Sequence, residues 1–361
     1  MTPNPLLGLI FHWIGGLASA SFYIPYRGVR KWAWESYWIV GGFFSWIVAP
    51  WLFAWLLVPH LGAILREAPG GAVGWSFLFG TLWGVGGLTF GLTMRYLGIA
   101  LGMAIALGFC AAFGTLMPPL VAGDLGRIAH TVSGQWILSG VAVCLLGIGV
   151  SGCAGMSKES ELSEEEKRRT IREFHFAKGL GMAVFSGVMS ACMSYGFASG
   201  KPIAEIAAKH LAEDGAGPLW RNLPVLVVVL LGGFATNGVW CLVLNLRNRT
   251  WGDYISRRDG HGHDVPLLAN YVFSAIAGVT WYLQFFFYSM GETCMGAYGF
   301  SSWTLHMASI IIFSTLWGIA LREWKGTSFR THLLIGLGLF ALVGSTVIVG
   351  YGNYLGAAAK P

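Results

Sequence analysis

Ten apolar runs follow one another along this chain of 361 residues, and each is long enough, at ~1.5 Å rise per residue, to cross a hydrocarbon core of ~30 Å as a helix. They lie at about 5–25, 36–58, 74–95, 97–121, 134–152, 177–200, 222–246, 266–290, 299–321 and 331–352. Only 11% of the residues are charged, against roughly 25% in soluble domains. The pattern predicts an all-α membrane protein with ten transmembrane helices. Its 17 Trp, 12 Tyr and 23 Phe suit interfacial aromatic belts, and its 52 Gly suit close helix packing. The first run has no basic leader and no small-residue cleavage site before it, so it is read as a retained helix.

One strongly charged segment, Lys158 to Lys178 with SEEEKRR at its centre, divides the runs into two sets of five. The predicted organisation is a first five-helix repeat over 1–152, a cytoplasmic charged linker over 153–176 and a second five-helix repeat over 177–361. Lys and Arg counted on alternate sides number 17 and 6. The positive-inside bias puts the richer side in the cytoplasm and both termini outside. Because five is odd, the second half enters from the opposite side. That is the pattern of inverted repeats, whose interface near the midplane binds substrate in transporters. The net charge of +6 is spread over these short loops and forms no single patch, so topology accounts for it and no nucleic-acid partner is expected.

Within the eighth run, WYLQFFFY (Trp281 to Tyr288) sets one amide, Gln284, among aromatic and apolar side chains. An unpaired amide in hydrocarbon costs several kcal/mol, so Gln284 is expected to face the protein interior or a wet cavity. Trp281, Gln284 and Tyr288 share one helix face at i, i+3 and i+7. Aromatic planes beside a polar hook suit a small polyhydroxylated ligand; a plain bond between helices is the alternative. His12, Gln284 and His306 fall roughly 9 to 11 Å below the outer boundary, with Trp83 slightly deeper. A common cavity open to the outside explains one level for all of them, and private bonds to neighbouring helices are again the alternative.

Other polar groups weigh less. Glu35 opens the second run beside Arg27, Arg30 and Lys31, as a dipole-favoured carboxylate or as a proton site at the inner mouth. Glu292 reads as a solvated cap. Arg95, at the inner end of the third run, snorkels or anchors a gate. His261, His263 and Asp264 in HGHD lack a further ligand, and the six Cys form no CxxC pair, so neither a metal site nor a cofactor is expected. Pro25, Pro118, Pro119 and Pro202 interrupt helices near their ends, as hinges or as ordinary stops.

FYIPY followed by RKWAWE, then GLTMRYLG, FGTLMPP, SGKP, WYLQFFFY, SSWTLHM and LREW, in that order from about His12 to Trp324, resemble the L-rhamnose/proton symporter family of bacteria. The resemblance implies the drug/metabolite transporter fold, ten transmembrane helices in two inverted five-helix repeats. It also implies import of L-rhamnose, with related sugars such as L-lyxose or L-mannose, across the inner membrane with H+ as coupling ion. The segment ETCMGAYG, Glu292 to Gly299, departs from the family pattern, and so does the charged linker.

On this reading Gln284, His12 and His306 hold sugar hydroxyls, while Trp281, Tyr282, Trp83, Trp303 and Tyr288 stack on the ring or enclose its methyl end. His12, His306 and Glu35 are the candidates for the proton. The alternatives are a drug/metabolite transporter for another small molecule, or an intramembrane transferase. No membrane-embedded acid at mid-depth favours a cationic-drug exporter, and no HExxH, GxSxG or DxD-like cluster favours an enzyme.

Overall fold

The computed structural model describes residues 3–161, 175–258 and 263–358. Ten helices in it are long and apolar enough to cross a membrane: Pro5–Tyr26, Trp34–Leu57, Gly70–Met94, Leu101–Val121, Val132–Ser160, Phe176–Ser199, Pro218–Asn248, Leu267–Cys294, Tyr298–Ala320 and Phe329–Ala358. They are called the first to tenth spans below. The protein is thus an all-helical, multi-pass membrane protein. Large apolar side chains such as Val121, Leu146 and Phe340 stand exposed on its outer surface, as a hydrocarbon solvent permits.

Several helix ends depart from the apolar runs. The fifth helix continues to Ser160, past position 152, because GCAGMSKES contains no proline and its end is held by Glu161. Beyond it, residues 162–174 of the charged segment lie outside the described residues, as does His261. In the first span the helix breaks at Phe22, three residues before Pro25, and resumes as Tyr23–Tyr26. The second span contains a π-helical turn, Phe44–Val48; Pro50 has no N–H to offer the Trp46 carbonyl, which loosens the ladder there. An amphipathic helix, Lys201–Glu213, follows the sixth span with Pro202 in its first turn and buries Ile203, Ala204, Ala207 and Leu211.

The third span packs on the sixth and seventh, the eighth on the first and second, the fourth on the fifth and sixth, the ninth on the tenth and first, and the fifth on the tenth. Exchanging each span with the one five places later leaves this set of neighbours unchanged, which is compatible with two inverted halves. At one end Asn4 donates to the Cys294 carbonyl at 3.1 Å, so the start of the first span meets the end of the eighth. Pro3 and Ala357, from opposite ends of the described chain, lie on this side of the bundle.

Candidate transport site

The eighth span organises the site. Trp281, Phe285, Tyr288 and Glu292 recur every three or four residues and so line one face. Tyr288 sits at the centre of that face. Its ring lies 5.5 Å from His12 of the first span, 5.2 Å from Phe197 of the sixth, and 5.3 and 5.7 Å from His306 and Trp303 of the ninth. Gly291 makes the approach of His12 possible, since a Cβ there would lie 2.7 Å from the imidazole.

Above Tyr288 a cavity of about 550 Å³ opens on the side where Pro3 and Ala357 lie. That volume suits a small ligand. Its wall mixes charged and polar groups, Lys201, Glu205, Arg221, Asn222, Glu292 and Ser194, with apolar surface from Pro118, Phe197 and Ala198. Glu292 is no solvated cap: it accepts a hydrogen bond from the Asn222 amide and lies 3.8 Å from the Arg221 guanidinium. Hydroxyls and a methyl group could both be accommodated there.

Beneath Tyr288 the groups are buried. His12 and His306 are fully covered, and none of their four ring nitrogens has a hydrogen-bond partner among the described residues. A buried polar group left so costs about 1–3 kcal/mol. Gln284 is also buried, and its side chain forms no hydrogen bond with another described residue; its backbone carbonyl faces Gly15 of the first span. Trp303 donates to the Cys110 carbonyl at 3.0 Å, tying the ninth span to the fourth. Trp281 lies further in, with Trp46 at 5.6 Å, Trp83 at 5.5 Å and Phe285 at 5.2 Å. These tryptophans form a plug below the cavity and do not line it. Tyr282 turns to another side, against Phe53 at 5.5 Å and Phe286 at 6.0 Å, with its hydroxyl buried and unpartnered.

The opposite end is laced shut by side chains. Glu35 accepts from Asn248 at 2.9 Å and from Thr250 at 3.1 Å, joining the second span to the end of the seventh, while Arg27 turns to Glu323 at 3.8 Å. Asp253 accepts from the Ala33 amide at 2.8 Å and from Ser36 at 2.7 Å. Asn270 exchanges two hydrogen bonds with the backbone of Arg30. Arg95 lies on the third helix near this end; its side chain is outside the described residues.

Over residues 1–355 the sequence matches the profile of the L-rhamnose-proton symport protein family. The chain belongs to that family. An L-rhamnose-proton symporter of Cronobacter sakazakii is 38% identical over 348 residues, which cover 96% of this chain and 97% of that protein. The corresponding proteins of Mannheimia succiniciproducens and Klebsiella pneumoniae are each 36% identical over 348 residues, covering 96% of this chain and 98% and 97% of theirs. As a member of a family of proton-coupled sugar transporters the chain is no enzyme, and the transferase alternative falls.

Within this family member, Arg221, Asn222, Lys201, Glu205 and Trp46 were not singled out from the sequence. The cations read as topology charges, because loop residues carry no period. Two signals were present: the apolar spacing of Ile203, Ala204, Ala207 and Leu211 marks an amphipathic helix, and Pro50 four residues after Trp46 marks a loosened turn.

Proposed function

We propose that this chain imports L-rhamnose together with a proton across the bacterial inner membrane, with both termini in the periplasm, by alternating access between two inverted five-helix repeats. Family membership supports the substrate and the coupling ion. One observation carries the mechanism: a cavity at the terminal end, floored by Tyr288, faces an opposite end held closed through Glu35, Asp253 and Asn270. That is the form expected of an outward-open state.

The sugar enters the cavity and Tyr288 stands between it and the buried groups. When Tyr288 moves, Gln284, His12 and His306 offer hydrogen bonds to ring hydroxyls, and Trp281, Tyr282, Trp83 and Trp303 supply aromatic surface for the C–H face and the 6-methyl group. L-lyxose and L-mannose are further substrates on the same chemistry, and membrane lipid surrounds the helices. His12, His306 and Glu35 are the groups through which a proton gradient acts, and Arg95 anchors the inner gate. Radiolabelled L-rhamnose uptake into proteoliposomes tests the reading: accumulation above the outside concentration with an inward proton gradient, and equilibration without one. Equal uptake in both conditions would count against coupling, and no uptake would count against the sugar.

A further inference from the structure

Among the described residues, Glu292 is the carboxylate of a spanning helix that meets the cavity wall. Its two oxygens have different surroundings. One accepts from the Asn222 amide and faces Arg221; the other faces Gly299, where a Cβ would come within 2.7 Å, and has no hydrogen-bond partner among the described residues. A glycine at position 299 therefore leaves an open lone-pair site on a carboxylate that is 27% exposed. Arg221, in turn, has a buried Nε–H without a partner among the described residues, so its guanidinium is only partly used by the ion pair. Both residues line the cavity with Lys201, Glu205, Tyr288 and Tyr298, and Cys294 lies two residues further along the same helix. His12 is one residue away, its ring against Gly291.

We propose that Glu292 is the site where the incoming proton is loaded, and that its protonation releases Arg221 to bind the sugar. This rests on the reading of the chain as a rhamnose/proton symporter. A proton from the outer solution adds to the open oxygen of Glu292, giving a neutral carboxylic acid. The ion pair with Arg221 then loses its Coulombic attraction, and the guanidinium turns its donors to ligand hydroxyls in the cavity. Sugar bound to Arg221 raises proton affinity at Glu292 by the same factor as the proton raises sugar affinity, as linkage requires. Proton and sugar load together, and neither is carried well alone. On opening to the other side the proton leaves, the pair reforms and the sugar is displaced.

The test uses the full chain in detergent and in proteoliposomes. In the wild type, L-rhamnose affinity rises as pH falls. Glu292→Gln, a permanent mimic of the neutral acid, binds rhamnose with an affinity that changes less with pH than in the wild type and exchanges it across the membrane, but no longer accumulates it against a gradient; Glu292→Asp restores accumulation in part. Asn222→Ala removes the amide that holds Glu292 beside Arg221, so it is expected to lower uphill accumulation. Uphill accumulation by Glu292→Gln, or wild-type accumulation by Asn222→Ala, overturns the proposal. Infrared difference spectra across a pH step need no sugar: a carboxylic C=O band that vanishes in Glu292→Gln supports proton loading at Glu292, and its absence from the wild type overturns it. A wild type that shows this band yet ignores rhamnose would overturn the substrate reading and leave the loading site standing.

Discussion

The carboxylate of Glu35 accepts a hydrogen bond from Asn248 at 2.9 Å, across 213 residues of sequence. It joins the first turn of the second span to the last turn of the seventh, and Thr250 adds a second donor at 3.1 Å. Glu35 is only 5% exposed, so removing its acceptors leaves two donors unsatisfied where water reaches poorly. Hydrogen bonds to a charged group contribute about 1.5–3 kcal/mol, which is about a tenfold or larger shift in a two-state equilibrium. Glu35→Ala is expected to weaken the closed inner end and depopulate the outward-open form. A cysteine placed at Glu205 in the cavity wall should then react more slowly with an impermeant maleimide, in proportion to the lost outward-open population; an unchanged rate would mean that the contact does not hold the gate.

The Gln284 amide has no partner on a neighbouring helix among the described residues, so Gln284→Ala breaks no hydrogen bond between spans. The expected outcome is loss of L-rhamnose binding by calorimetry with a melting temperature within a few degrees of wild type. Trp281→Ala also loses binding, but removes a ring packed against Trp46, Trp83 and Phe285 and costs about 3–5 kcal/mol of stability. Wild-type affinity in both variants would remove these residues from the sugar site.

His12 and His306 flank Tyr288 at 5.5 and 5.3 Å, with no partners for their nitrogens among the described residues. His12→Ala and His306→Ala are each expected to keep sugar exchange across a proteoliposome membrane and to lose most accumulation driven by a proton gradient. Full uphill uptake in both would exclude the pair from coupling.

Glu161, just past the fifth helix, accepts from the Ser328 amide at 2.7 Å, the Ser328 hydroxyl at 2.6 Å and the Thr331 hydroxyl at 2.6 Å. The hydrogen bonds from Ser328 and Thr331 hold its carboxyl down to about 2. A depressed carboxylate stabilises the fold fully above the ordinary carboxylate range of about 4, and this contribution is lost as pH falls towards 2. The difference in melting temperature between wild type and Glu161→Gln should therefore be constant near neutral pH and shrink between about pH 4 and 2. A gap that stays constant to pH 2 would show that ionised Glu161 does not clasp the fifth span to the tenth.

Much of the fold is legible along the chain. Each span announces itself by length, because the thickness of hydrocarbon is a fixed ruler that acts on about twenty consecutive residues at a time. Helical periodicity likewise put Trp281 and Tyr288 on one face, and counting residues from the outer boundary put His12 and His306 at one depth; the structure seats both imidazoles on Tyr288. Tyr282 shows the limit of that reasoning. It is one residue from Trp281, yet a step of about 100° carries it to Phe53 and Phe286, away from the histidines.

The sequence by itself determined the ten spans, the charged divider and the aromatic face of the eighth helix, since each depends on neighbours along the chain. Only the tertiary structure decided that Glu292 meets Asn222 across 70 residues, that Glu35 meets Asn248, and that three tryptophans from three spans close the floor below the cavity. The reason is physical: lipid is equally apolar on every side of a helix, so the rotation and register of each span are set by close packing and polar contacts with distant spans.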